Sequence, residues 1–330
     1  MYFIPDKIKE YDLVKYFSYE KVGLPLAILI LSLIFGLINP VFFSFNNVMN
    51  VGRQIAFVGL MAWGMTMIII CGGIDLSVGK MTALLSVIMA AIITHYSSTY
   101  FGVAVAIIVS IFLGVFIGFL KGWIIEVLNI PPFIATLAFY SIIAGSALTF
   151  TSGTVIFGLE SEFFKWIGNG KYFGVPISLM IMILFLIITH IILQKTKLGY
   201  YTYSIGANER AVKLAGINIL KYKLYIYMYA NFLVSIAAIL MTSRVNSGQP
   251  LLGTGLELKV IAAVCIGGTS LFGGVGSIIG TFYGVILIGI LNNGLNILGV
   301  SSFIQEIVIG ITILLAVFIS VVRKKYNIST

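Results

Sequence analysis

The chain has 330 residues, of which 60% are hydrophobic and only 9% charged, and its formal net charge is +9. With a mean hydropathy of +1.10, it is far more apolar than a soluble domain, whose apolar share is about 45–50%. Such a composition excludes an ordinary soluble domain and assigns the positive charge to the loops of a polytopic membrane protein rather than to a nucleic-acid surface.

Residues 1–21 mix acids, bases and aromatics, and no small-residue cleavage site follows the first apolar run. They read as a cytoplasmic interfacial segment, not a secretory signal. Apolar runs then fall at about 22–38, 51–71, 78–94, 102–120, 133–150, 175–193, 224–243, 258–272, 276–292 and 303–322. Ten crossings are the simplest count for an all-α membrane fold, because about 20 apolar residues span a bilayer core. The transmembrane domain is therefore 22–322, with a charged loop at 195–223 and a tail at 323–330.

Charge sets the orientation. With the N-terminus inside, fifteen of the 20 Lys and Arg residues face the cytoplasm: Lys7, Lys9, Lys15, Lys21, Lys80, Lys121, the six of the 195–223 loop, and Arg323, Lys324 and Lys325. Arg53, Lys165, Lys171, Arg244 and Lys259 fall outside, so both termini are read as cytoplasmic.

Two crossings are interrupted. The second ends at Cys71-Gly72-Gly73 and the eighth at Gly267-Gly268, so CGGIDLSVG and CIGGTSLFGGVG share a local form. Glycine and polar residues at depth require cover by protein or by a water-filled cavity. Asp75 beside the first break either binds a proton or cation, as intramembrane acids do, or it or Ser77 caps the helix that starts near Val78. The cap is the preferred reading, and Thr269 and Ser270 would serve the second break in the same way. GGIDLSVGKM fails as a phosphate-binding loop: five residues separate Gly73 from Gly79, and Met81 follows Lys80. The chain thus carries no nucleotide site of its own.

Glycines at four-residue spacing, Gly114, Gly118 and Gly122, then Gly276, Gly280 and Gly284, give smooth helix faces for packing within one subunit. Arg244, Gln249, Glu257 and Lys259 are candidates for an outer mouth that handles a hydroxylated solute, or else interface anchors. The outer segment 151–176 is either a docking element or a plain interfacial loop. Cys71 and Cys265 suit neither a metal site nor a disulfide framework, and His95 and His190 lie far apart, so no catalytic or metal site is indicated. Asn231, Asn292 and Asn293 read as interhelical hydrogen-bond glue.

The charged loop holds Lys195, Lys197, Arg210, Lys213, Lys221 and Lys223. Asn208 is placed to cap a short helix, Glu209 suits its first turn, and Gly216 suits its end. A helix of about eight residues is marginal alone, so another surface should hold it.

SIGANERAVKLAGIN (204–218), GGIDLSVG (72–79) and RVNSGQPLLGTGLELKVIAAVCIGGTSLFGGVG (244–276) closely resemble the permease subunits of ribose-type monosaccharide ABC importers, from about residue 45 to the C-terminus. GGIDLSVG alone also resembles branched-chain amino-acid permeases. The resemblance implies a pair of all-helical permeases, with a second copy as a homodimer ahead of a non-identical partner. It makes 195–223 a coupling loop, with Gly206, Asn208, Glu209, Arg210, Ala211, Gly216 and Ile217 docking on a cytoplasmic ATPase that carries ATP and Mg. It also implies an extracytoplasmic sugar-binding protein, a prokaryotic cell membrane and surrounding lipid, with no nucleic acid involved and no cofactor in this chain. Gly248, Leu256 and Lys259 depart from the family's usual Ala, Tyr and acid, which leaves the solute open to a nucleoside, an amino acid or a furanosyl signal molecule. A proton-coupled transporter using Asp75 is the alternative from another class.

Overall fold

The computed structural model describes residues 22–325, so the expected interfacial segment 1–21 and the end of the tail from 326 lie outside them. The described residues form α1 (Leu24–Ile38), α2 (Phe45–Ile70), α3 (Val78–His95), α4 (Tyr100–Val127), α5 (Pro132–Thr151), α6 (Glu162–Asn169), α7 (Ile177–Lys195), α8 (Lys197–Leu214), α9 (Ile219–Val245), α10 (Leu256–Ile266), α11 (Ile278–Ile297) and α12 (Ser302–Lys325). A two-residue antiparallel pair, β1 (Lys171–Tyr172) and β2 (Val175–Pro176), turns between α6 and α7.

Seven of these helices, α2, α3, α4, α5, α7, α9 and α11, are long and apolar enough to cross a membrane. The chain is a multi-pass helical membrane protein. Two expected crossings come out shorter, since α1 has 15 residues and α10 has 11, whereas α12 runs for 24 residues. At 1.5 Å per residue α10 rises only about 17 Å, roughly half the hydrocarbon thickness.

The two breaks have one physical cause. Gly72 takes φ +86° and Gly268 φ +87°, a left-handed turn that glycine adopts without strain. Gly72 N–H then bonds Ile69 O and Gly73 N–H bonds Ile68 O; Gly268 bonds Cys265 O and Thr269 bonds Val264 O. Both helices therefore close with the same C-terminal cap, and the shared Cys-and-Gly pattern reports that cap. The restarts differ from expectation. Ser77 makes no side-chain cap to α3, and Asp75 Oδ1 accepts instead from Ser77 N–H at 2.9 Å and from Ser77 Oγ at 2.6 Å. Ser277, not Thr269 or Ser270, caps α11, accepting from Gly280 N–H at 2.9 Å.

Helix α9 packs against α2, α3 and α4 at the centre of the fold. The glycine stripe on α4 makes one of these contacts possible: a Cβ at Gly118 would sit 2.5 Å from Tyr227 O. The stripe therefore packs within the subunit. Thr66 and Thr281 share a buried 2.8 Å hydrogen bond between α2 and α11, and the Asn47 and Asn293 amides pair reciprocally at 2.9 Å. Exposed Phe112, Phe116, Ile134, Leu184 and Ile187 on α4, α5 and α7 suit contact with hydrocarbon.

Two lysines counted with the inner loops lie inside the protein. Lys121 belongs to α4 and is fully buried, and Lys80 belongs to α3 with 6% exposure. The segment 151–176 is also more than a plain loop, since α6 is tied to the end of α9 by Gly168 N–H donating to Ser243 Oγ at 2.7 Å.

Candidate coupling site

One end of the bundle gathers elements that are far apart in sequence. The α2–α3 link, the α4–α5 link, the middle of α8 and the start of α9 line a cavity of about 370 Å³. The α10–α11 link joins the same contact, because Gly274 N–H donates to Ile70 O at 2.8 Å. Gly206 sits against both. A Cβ there would fall well inside contact distance of Ile70 O and 2.6 Å from Gly274 N. Gly273 approaches Gly206 and Gly72 as closely, its Cβ position lying 2.8 Å from Gly206 O and 3.2 Å from Gly72 Cα. Three backbones thus touch with no side chain between them. Tyr203 reinforces the contact by donating to Gly276 O at 2.7 Å. Residues 203–207 are therefore in direct contact with the segments that follow both breaks.

Beyond Gly206 the helix kinks. Asn208 leaves helical geometry at φ −159°, ψ 89°, and its Oδ1 accepts from Ala211 N–H at 2.9 Å, the expected N-cap. Gly216 at φ +76° ends the short helix, with Ile217 N–H bonded to Val212 O at 3.3 Å. Val212 is buried, whereas Asn208, Glu209, Arg210, Ala211 and Gly216 are exposed and Leu214 is 84% exposed at the tip. The sequence pattern located this helix but missed the preceding helical stretch of about three turns from Lys197, which Thr196 caps.

Lys223 fastens the short helix to the bundle. Its Nζ lies 2.7 Å from Glu126 Oε2 at the end of α4 and 2.9 Å from Glu209 Oε1. Lys223 is only 11% exposed by side chain, so the clamp is shielded from water far better than a surface pair. Lys223→Met is expected to loosen residues 208–216 while leaving α9 folded. Hydrogen exchange should show faster amide exchange confined to that helix, and unchanged protection there would refute the clamp.

The first break is held from within. Asp75 is fully buried; its Oδ2 meets Lys121 Nζ at 2.8 Å and Asn231 Nδ2 at 3.4 Å. Lys121 Nζ also donates to Asn231 Oδ1 at 2.8 Å. Thr136 Oγ1 donates to Ile74 O at 3.0 Å, tying the same link to α5. The second break is held by backbone packing: a Cβ at Gly267 would lie 2.5 Å from Thr281 N. Thr269 Oγ1 is buried without a partner, and Ser270 Oγ accepts from Phe272 N–H at 3.2 Å.

The four outer candidates occupy separate places. The Arg244 guanidinium stands 5.6 Å from the centre of the Phe57 ring, and Gln249 bonds Ser247 Oγ at 3.0 Å. Lys259 pairs with Glu306 at 3.0 Å beside a cavity of about 240 Å³. Glu257 is buried against Gly79, where a Cβ would collide with its Oε2 and lie 2.5 Å from Gly253 O. Sequence reasoning missed the partners Lys121, Glu126 and Thr254, while Asn231, expected as interhelical glue, does bond Lys121 and Asp75. A lysine inside a 28-residue apolar helix was the available signal, because such a charge requires a partner.

A family model described as a branched-chain amino acid transport system permease component matches residues 47–317. The ribose import permease protein of Bacillus subtilis (strain 168) is 45% identical over 307 residues, covering 93% of this chain and 94% of that protein. The ribose import permease protein of Escherichia coli (strain K12) is 40% identical over 297 residues, or 89% and 91% of the two chains. The L-arabinose transport system permease protein of Escherichia coli (strain K12) is 36% identical over 307 residues, or 93% and 92%. No solved structure matches the chain.

Proposed function

The chain belongs to the family of ABC-importer sugar permeases, and from that premise we propose that it imports ribose or a related monosaccharide. It is a transport subunit, not an enzyme, and ATP with Mg is bound and hydrolysed on separate cytoplasmic subunits. The observation that carries this reading is the meeting of the Gly206 segment with both helix breaks. A push on the exposed 208–216 helix has a direct backbone route to the elements that begin and end crossings.

In this reading both termini are cytoplasmic, and α1, α10 and α12 complete ten crossings, with α2 and α10 the two that end at glycine breaks. Two copies of the permease form the transport path as a homodimer. An extracytoplasmic binding protein delivers the solute to the end bearing α6, and ATP-driven closure of the ATPase pair moves the 208–216 helix. The cavity beside that helix gives it space to shift.

The proton-coupled alternative is not favoured. A carrier acid has to exchange protons with water, whereas Asp75 is fully buried and shares an ion pair with Lys121. Reconstitution in proteoliposomes with the ATPase and a ribose-loaded binding protein tests the proposal. ATP-dependent accumulation of radiolabelled D-ribose is the expected result. Uptake that ignores ATP and collapses with the proton gradient would overturn it, and preference for a nucleoside or amino acid would replace the cargo.

A further inference from the structure

We propose that Lys80, Thr254 and Glu257, with the ring of Tyr140 beside them, form a station inside the permease that handles a neutral polyhydroxylated solute as it crosses. The inference rests on the sugar-importer reading.

The link between α9 and α10 brings these groups together. It runs antiparallel along α3: Gln249 N–H bonds Ser86 Oγ at 3.3 Å, Thr82 Oγ1 bonds Leu252 O at 3.2 Å, and Lys80 Nζ bonds Thr254 Oγ1 at 2.9 Å. From Ser86 to Lys80 the link descends about 9 Å along the helix. It carries Glu257 from the end of the bundle where α9 terminates toward the first break. The absent side chain of Gly79 leaves room for the carboxylate.

The carboxylate and the ammonium are both under-used there. Glu257 is 7% exposed, yet only its Oε1 is bonded, to Gly255 N–H at 3.3 Å, while Oε2 is buried with no partner. An unsatisfied buried carboxylate oxygen is costly and calls for a partner. Lys80 is 6% exposed, and its ammonium has three N–H groups, one of which goes to Thr254. The same Nζ lies 5.1 Å from the centre of the Tyr140 ring. Thr254 is exposed and is flanked by exposed Leu251 and Leu258, so the cluster is open on that side.

These groups fit a polyol. One hydroxyl donates to Glu257 Oε2, a second accepts from Lys80 Nζ, and the apolar face of the solute lies on Tyr140. Opposite charges on the two side chains leave the station without net charge, which disfavours phosphorylated or otherwise charged solutes. Holding a sugar by two or three bonds is compatible with passage, since a crossing step must release what it binds.

The test uses proteoliposomes holding the permease, its ATPase and saturating ribose-loaded binding protein, with D-ribose uptake and ATP hydrolysis measured together. Glu257→Gln is expected to lower maximal uptake about tenfold or more, the effect of losing one hydrogen bond to a charged group, while stimulated ATP hydrolysis stays near the wild-type rate. Lys80→Met is expected to show the same split, and it carries the test if Glu257→Gln fails to insert. Parallel loss of uptake and hydrolysis would mean that these residues act through the fold, and would overturn the proposal, as would unchanged uptake in both variants. Wild-type permease that hydrolyses ATP but moves no D-ribose would instead overturn the sugar reading, and the station with it.

Discussion

Lys121→Met is expected to destabilise the permease by about 3–5 kcal/mol, the usual consequence of stranding one member of a buried ion pair. Proteins are stable by only about 5–15 kcal/mol, so the variant should lose most of its folded population in detergent melts followed by size-exclusion chromatography. Asp75 would then keep only Ser77 and the long 3.4 Å contact from Asn231, with its second oxygen facing a methionine. Asp75→Asn should be harmful for the complementary reason, an ammonium left in the core. Combining the two removes both charges, and the double variant is expected to recover more than half of the lost stability. Simple additivity of the single effects would show that the pair does not act as a unit. The same variants separate the two readings of Asp75. A proton carrier would tolerate Asp75→Asn structurally and lose only gradient-driven uptake, whereas a structural pair fails before transport is at issue.

The composition and period of the sequence were enough to reveal a polytopic helical protein, and the glycine pairs at 72–73 and 267–268 located both breaks. Glycine reports the left-handed turn locally, so no tertiary knowledge is needed to find it. The short helix after Asn208 was legible for the same reason, its cap and its terminating glycine both lying within nine residues of chain. What stayed hidden depends on pairs distant in sequence. Asp75 with Lys121, Lys223 with Glu126, and Lys80 with Thr254 are 46, 97 and 174 residues apart. Charge counting treated Lys80 and Lys121 as loop residues because the bilayer boundary falls inside long helices, where an apolar run gives no sharp edge. The count of ten crossings met a similar limit. The run around 258–272 counts as one crossing, yet its helix stops after 11 residues because Gly267 and Gly268 close it.

Gly206→Val is expected to abolish coupling without abolishing folding. Gly206 packs on backbone, not on side chains that could rotate away: Ile70 O on one side and Gly274 N on the other. A branched Cβ has to push the segment off both, and the bond from Gly274 N–H to Ile70 O at 2.8 Å lies in its way. Overpacking of this kind costs about 1–3 kcal/mol, which as a coupling free energy corresponds to roughly 5- to 150-fold. The contact touches only the last residue of α2, while α4 and α9 pack along their lengths elsewhere, so the protein should still insert and melt near the wild-type temperature. ATP-driven D-ribose uptake is expected to fall by about 5- to 150-fold while the partner ATPase continues to turn over. Gly206→Ala should fall between the two, since its single methyl meets the same carbonyl with less bulk. Leu214→Ala provides the contrast. That side chain is 84% exposed and touches none of the three backbones, so its loss should weaken ATPase binding rather than the transmitted step. If Gly206→Val transports normally, the route from the short helix to the breaks does not run through this contact. The Lys223 clamp to Glu126 then becomes the remaining connection to examine.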